Sequence, residues 1–234
     1  MKKQQEKMFE FFVSTRDHSF DVFSFADQIG RQHALPYLVK HLLDKLPGKE
    51  DNQVIFNEKK LVSFLNQIQM GYQKVPYHND LHGVDVAQFM FLLISEAQLD
   101  RVADLRYLDM VAAIIAATCH DYDHDGFNNA YHVNKMTMRA LRYHDESVQE
   151  NYHAAESISI MLKPEFYFLE DVSKDDVKVF RKRVVGMILS TDMAKHMQDL
   201  TQFKNRCESK GISSELDNGH LFIDRTDAST IFET

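Results

Sequence analysis

Apolar residues recur at three- and four-residue intervals along most of this chain, and nowhere do they alternate over a useful length. Leu61, Phe64, Leu65 and Ile68 stand at i, i+3, i+4 and i+7, one face of an α-helix, with Asn57 placed to cap it. An earlier helix covers roughly Leu35–Leu46 and is stopped by Pro47-Gly48. Val84–Gln98 and Leu105–Cys119 are apolar almost all round, the pattern of helices that run through an interior. Val148, Tyr152, Ala155, Ile158 and Leu162 share one face of a helix over Ser147–Leu162. Ser173-Lys-Asp-Asp176 reads as a helix start, continued by Val177, Phe180, Val184, Met187 and Ile188. With eight Gly and four Pro in 234 residues, a turn-rich β fold is disfavoured. The expectation is an all-α fold. The first dozen residues and Lys204–Thr226 carry the weakest signal, and the latter, with Lys210-Gly211 and Asn218-Gly219, reads as a mobile connection.

The net charge of −8, with no long basic run, excludes an electrostatic grip on a nucleic-acid polymer. An acidic protein that takes a small anionic ester needs a local positive device, and a metal ion supplies one. Cys119 and Cys207 form no CxxC pair and no disulfide framework, which fits a reduced, cytoplasmic protein. No apolar core of signal-peptide length follows Met1. The longest apolar stretches, around Val84–Ile94 and Val111–Cys119, are too short to span a bilayer. Nothing in the sequence speaks against a homo-oligomer.

Seven of the twelve histidines fall between positions 78 and 153. The first cluster is Tyr77-His-Asn-Asp-Leu-His-Gly-Val-Asp-Val86, in which His78 and His82 share a face if the segment is helical. An HxxxH pair alone is equally a polar helix face whose histidines only hydrogen-bond. The second cluster, His120-Asp-Tyr-Asp-His-Asp-Gly-Phe-Asn-Asn129, follows directly on an apolar helix. A solvated acidic turn explains Asp123 and Asp125, but not why His120 and Asp121 terminate a buried helix. Imidazole and carboxylate side by side are ligands that zinc accepts, and crowded acidic and imidazole groups are relieved by cations among them.

Together the clusters resemble the HD phosphohydrolase group, and in detail the catalytic region of class I 3′,5′-cyclic nucleotide phosphodiesterases. The resemblance rests on residues 77–86, on His-Asp-x-x-His-x-Gly-x-x-Asn at 120–129, on Asp145-Glu-Ser-Val-x-Glu-Asn151 and on Ser190-Thr-Asp-Met-Ala-Lys-His196. Ser19-Phe-Asp-Val-Phe-Ser-Phe25 is similar to the family's opening segment. It implies a compact multi-helix phosphodiesterase-type (HD-domain) fold over residues 19–234, with residues 1–18 as an N-terminal extension. It also implies two divalent ions, zinc and magnesium or manganese, that serve hydrolysis of cyclic AMP or cyclic GMP in signalling.

Carried over by position, His78 matches the general acid for the leaving O3′, and His82, His120 and Asp121 match zinc ligands, with Asp121 bridging to the second ion. His124, Glu150 and Thr191 match residues that hold that ion's water, and Tyr77 and Met193 match walls of the nucleotide pocket. Simpler roles compete: Glu150 could complete a capping box with Ser147, Thr191 could bond its own helix backbone, and Tyr77 and Met193 could be core residues. His153 matches a family histidine near the site, but packing accounts for it and it is left out of the expected site.

After Asp192 nothing fits the family's fourth zinc ligand, an aspartate in a His-x-x-Asp segment, or the glutamine that holds the purine. The expectation is therefore a partial catalytic domain lacking its last helices, with weaker zinc binding and slow turnover on its own. The alternatives are a catalytically incomplete binding or regulatory fragment, or another HD-type hydrolase. The Tyr-His-Asn and Ser-Thr-Asp-Met motifs argue against the last.

Overall fold

The computed structural model describes residues 11, 13–49 and 56–209. Among them there is no strand, and the all-α expectation holds. The helices are α1 (Val22–Ile29), α2 (Ala34–Lys45), α3 (Glu58–Gly71), α4 (Asp80–Ser95), the single turn α5 (Leu99–Val102) and α6 (Tyr107–Cys119). They continue with the short α7 (Asn129–Asn134) and α8 (Met138–Arg142), then α9 (Val148–Met161), α10 (Lys174–Leu189) and α11 (Met193–Ser209). A 3-10 turn, Arg31–His33, leads into α2.

Helix starts follow capping chemistry. Asp21, Asn57, Asn79, Asn128, Thr137 and Ser173 each accept a hydrogen bond from a backbone N–H of the first turn that no helical carbonyl reaches. Ser147 does not: it precedes α9 with φ 41° and its hydroxyl makes no bond, so the capping box that competed for Glu150 is not formed.

All thirteen residues of α6 are buried, and it packs against α4 and α10. Its one acidic residue, Asp109, is tied to Arg106 and approached by Arg183, which is what a buried carboxylate requires. Around α6, Leu35, Leu38 and Leu42 of α2, Leu65 and Ile68 of α3, Val84 and Phe91 of α4, and Phe180 and Ile188 of α10 complete one core. A helix held on every side has a fixed C-terminus, and His120-Asp121 begins there.

Several boundaries differ from expectation. The apolar run expected from Leu105 is divided: Asp104 sits at φ 47° and α6 begins only at Tyr107. Likewise α4 ends at Ser95, because Gln98 adopts φ 56° to turn into α5. Lys204–Ser209, expected as connection, is the last part of α11. The rest of that stretch, the chain end beyond it and residues 1–10 lie outside the described residues.

Candidate metal centre and active site

The end of α6 meets the start of α4. Tyr72, after α3, donates its hydroxyl to the Thr118 carbonyl at 2.9 Å, satisfying an otherwise orphaned carbonyl of the last α6 turn. Its hydroxyl lies over Gly83 of α4, where a Cβ would stand 2.8 Å from the hydroxyl oxygen and 3.3 Å from the Thr118 carbonyl. Glycine at this position therefore permits the close approach that brings His82 to His120.

His78 precedes α4 and is not on it. The expectation that it shares a helix face with His82 is corrected, because Asn79 caps the helix and Asp80 is its first residue. The Asn79 side chain also donates to the carbonyls of Val75 (2.9 Å) and Pro76 (3.3 Å), closing the turn that presents Tyr77 and His78.

His82, His120 and Asp121 converge. Nε2 of His82 lies 3.2 Å from Nε2 of His120, and Oδ2 of Asp121 lies 3.3 Å from the first and 3.2 Å from the second. A tetrahedral ion with metal–nitrogen bonds of ~2.0–2.1 Å needs ligand atoms about 3.3 Å apart, and these three atoms have that spacing. His120 donates Nδ1–H to the Ala117 carbonyl at 2.8 Å, which leaves its Nε2 lone pair free to ligate. The residues fit a divalent ion.

A second group, Asp121, His124 and His153, shares the aspartate, with its ligand atoms within 4.8 Å of one another. Its two histidines are not alike. His153 donates Nδ1–H to the Tyr122 carbonyl at 2.6 Å, and its buried Nε2 lone pair has no partner. His124 accepts at Nδ1 from the Gly126 N–H at 2.9 Å, so the neutral ring carries its proton on Nε2. The group thus offers a carboxylate, one lone pair and one N–H donor, a set suited to a hydrated ion. His153, left out on sequence grounds, belongs to the site. The signal was its position three residues after Glu150, on the same face of α9.

Electrostatics in the metal-free protein agree. Burial works against a charged Asp121, but hydrogen bonds from His120 and His82 outweigh it and hold the carboxyl well below its usual range. Burial likewise opposes a charged His120, yet Asp121 raises its pKa. Burial pushes His153 down to about 4 and lowers His78 and His124, the latter also through the His78 charge. Burial raises Glu150, whose carboxylate accepts from Asn129 at 2.9 Å and feels Asp192 and Asp121.

Of the remaining expected residues, Tyr77 stands beside the histidines. The Tyr77 ring stands 4.9 Å from His78 and 4.7 Å from His82 and is 64% exposed, so it is no core residue. Met193, at the start of α11, is 73% exposed and equally outside the core. Thr191 donates its hydroxyl to the Ile188 carbonyl at 2.7 Å, the backbone bond that was its competing role.

A profile of the 3′5′-cyclic nucleotide phosphodiesterase family matches residues 77–230, which include both ligand clusters. The chain belongs to this family. It is 34% identical over 205 residues to the probable 3′,5′-cyclic-AMP phosphodiesterase pde-4 of Caenorhabditis elegans, an alignment covering 88% of this chain and 29% of that protein. It is also 34% identical over 159 residues to the high affinity cGMP-specific 3′,5′-cyclic phosphodiesterase 9A of Pan troglodytes, covering 68% of this chain and 26% of that one. The chain thus spans less than a third of the length of these relatives. Its structure is similar to the phosphodiesterase domain of the RhoPDE fusion protein from the choanoflagellate Salpingoeca rosetta, with a TM-score of 0.72 and 28% identity over 85% of this chain and 58% of that one.

These findings correct the wider placement. The fold is the all-α phosphodiesterase type, and neither membership of the HD phosphohydrolase superfamily nor an HD-domain fold is supported. The physical reason is that a histidine followed by a distant His-Asp dyad is a demand of metal coordination, which unrelated folds can meet. Among the described residues no helix is long and apolar enough to cross a membrane.

Proposed function

We propose that this phosphodiesterase-family chain hydrolyses 3′,5′-cyclic nucleotides to 5′-nucleoside monophosphates, using zinc at His82, His120 and Asp121 and a second, largely hydrated magnesium or manganese ion beside Asp121. The observation that carries this reading is the near-equilateral triangle of Nε2, Nε2 and Oδ2 atoms, with His78 next to it but in neither ligand group. The two ions would offset phosphodiester charge and acidify a water at neutral pH.

The other roles belong to the chain. His78 donates a proton to O3′ as the P–O3′ bond breaks, since an alkoxide leaves poorly near neutral pH. Burial lowers the His78 pKa, which makes its charged form a readier donor, while the Asp121 charge favours protonation. The Nε2–H of His124 and the bare Nε2 of His153 give a water one donor and one acceptor, which orients it. Glu150, held by Asn129, and Thr191 extend this set toward the second ion's water. Exposed Tyr77 and Met193 form walls for the nucleotide. The named relatives include one cyclic-AMP and one cGMP-specific enzyme, so both nucleotides are candidate substrates.

The test is product formation from cyclic AMP and cyclic GMP, with zinc and magnesium present or removed by chelator. The expected result is a 5′-monophosphate whose formation needs metal and is lost in His78→Ala. No product above the His78→Ala level for either nucleotide overturns the proposal.

A further inference from the structure

The N-terminus of α4 is anchored by a side-chain network away from the metal ligands. Asp80, the first residue of α4, is 7% exposed although it is a carboxylate. Arg31, from the 3-10 turn, donates Nε to both Asp80 oxygens at 3.1 Å and adds a bond from Nη2 to Oδ1. Gln69, in the last turn of α3, donates Nε2 to Oδ2 at 2.5 Å. The Gln69 oxygen in turn accepts from the Leu35 N–H at 3.0 Å, in the first turn of α2. One carboxylate thereby ties together the 3-10 turn, α2, α3 and α4. It also sits at the positive end of the α4 dipole, where a negative charge is stabilised.

Asp80 lies two residues after His78 and two before His82. It falls between the Tyr-His-Asn motif at 77–79 and the ligand His82, and its partners Arg31 and Gln69 lie outside all the motif segments. The proton donor stands in the turn before α4 and the first metal ligand in its first turn. A shift of the α4 start would therefore displace both relative to His120 and Asp121, which are fixed by the buried α6.

We infer that Arg31, Gln69 and Asp80 form a positioning clamp that sets where His78 and His82 stand relative to the end of α6. The clamp rests on the functional reading above. Its geometry is suited to the task, because a guanidinium held to a carboxylate at two points fixes direction as well as distance.

Zinc affinity of the full 234-residue chain, measured by competition with a chelator, tests this without reference to turnover. Arg31→Gln and Asp80→Asn are each expected to weaken zinc binding about tenfold, the scale seen when residues supporting metal ligands are removed. Arg31→Lys keeps the charge but loses the fork and should recover part of that loss. Leu42→Ala, a core truncation in α2 seven residues from Leu35, is the control: it lowers the unfolding temperature and should leave zinc affinity unchanged. Arg31→Gln that weakens zinc no more than Leu42→Ala at a matched loss of stability overturns the clamp, as does Arg31→Lys no better than Arg31→Gln. If only His82→Ala loses zinc, the clamp alone falls. If the unaltered chain takes up no zinc, the functional reading falls with it.

Discussion

His124 stacks on His78, with ring centroids 4.1 Å apart and planes within 16° of parallel. Two imidazolium rings this close repel, so a charged His78 requires a neutral His124. Burial, the His78 charge and the Gly126 N–H that His124 accepts all favour the neutral ring. On the proposed function, the pair separates the proton donor from the water-orienting N–H by one ring spacing.

His78 is in neither ligand group, whereas His82 supplies a corner of the metal triangle. His78→Ala should therefore keep its zinc and lose most formation of 5′-monophosphate, while His82→Ala should lose both. Metal content of the purified variants, read beside product formation, checks this. Loss of zinc in His78→Ala would assign it as a ligand.

Burial of neutral His153 makes stability depend on pH in a defined direction. Its folded pKa of about 4 lies below the ordinary value of 6.5, so the unfolded chain binds the extra proton. Its contribution is fully present above about pH 6.5 and is lost as pH falls toward 4, by up to about 3 kcal/mol. Chemical denaturation of the metal-free chain between pH 7 and 4 should show a shallower decline for His153→Phe than for the unaltered protein. Parallel curves would show that the histidine is not buried neutral.

Gly83→Ala reverses a familiar sign. In an exposed helix, alanine in place of glycine stabilises by about 1 kcal/mol. Here the added methyl would meet the Tyr72 hydroxyl at 2.8 Å and the Thr118 carbonyl at 3.3 Å, so a loss of about 1–3 kcal/mol is expected. Zinc affinity should fall with it, because α4 and the end of α6 must separate. Thermal unfolding and chelator titration of this variant give both numbers.

Much of this was legible in the sequence. The helical period located α2, α3, α4, α6 and α10, because each buries apolar residues at the spacing the sequence shows. It located α9 too, but on the wrong face: Ala155 and Leu162 are exposed, while His153, Ala154, Ser157 and Met161 are buried with Val148 and Ile158, because α9 turns its polar metal-side face inward. The ligands His82, His120 and Asp121 were legible because their chemistry is unusual at those spacings. What was missed depends on backbone turns and distant partners. His78 leaves the helix because Asn79 takes the cap, a choice that spacing alone does not make. Arg31 and Asp80 are 49 residues apart and meet only after α2 and α4 have packed. His153 read as a packing residue because its one local signal, the i, i+3 spacing from Glu150, fits a buried ring as well as one whose nitrogen faces a charged group.

The last described helix has a consequence of its own. Over its seventeen residues α11 buries none of its described side chains. Among the described residues its side chains are exposed or half-buried, whereas all thirteen residues of α6 are buried, so local opening costs less at α11 than at α6. Thr191 and Met193, proposed above for the ion's water and for the nucleotide wall, stand at the start of this helix. On the proposed function, substrate contacts there are cheaper to remodel than the metal triangle, which joins the first turn of α4 to the end of the fully buried α6. On that reading, changes in nucleotide preference at the start of α11 leave the metal ligands at the end of α6 undisturbed.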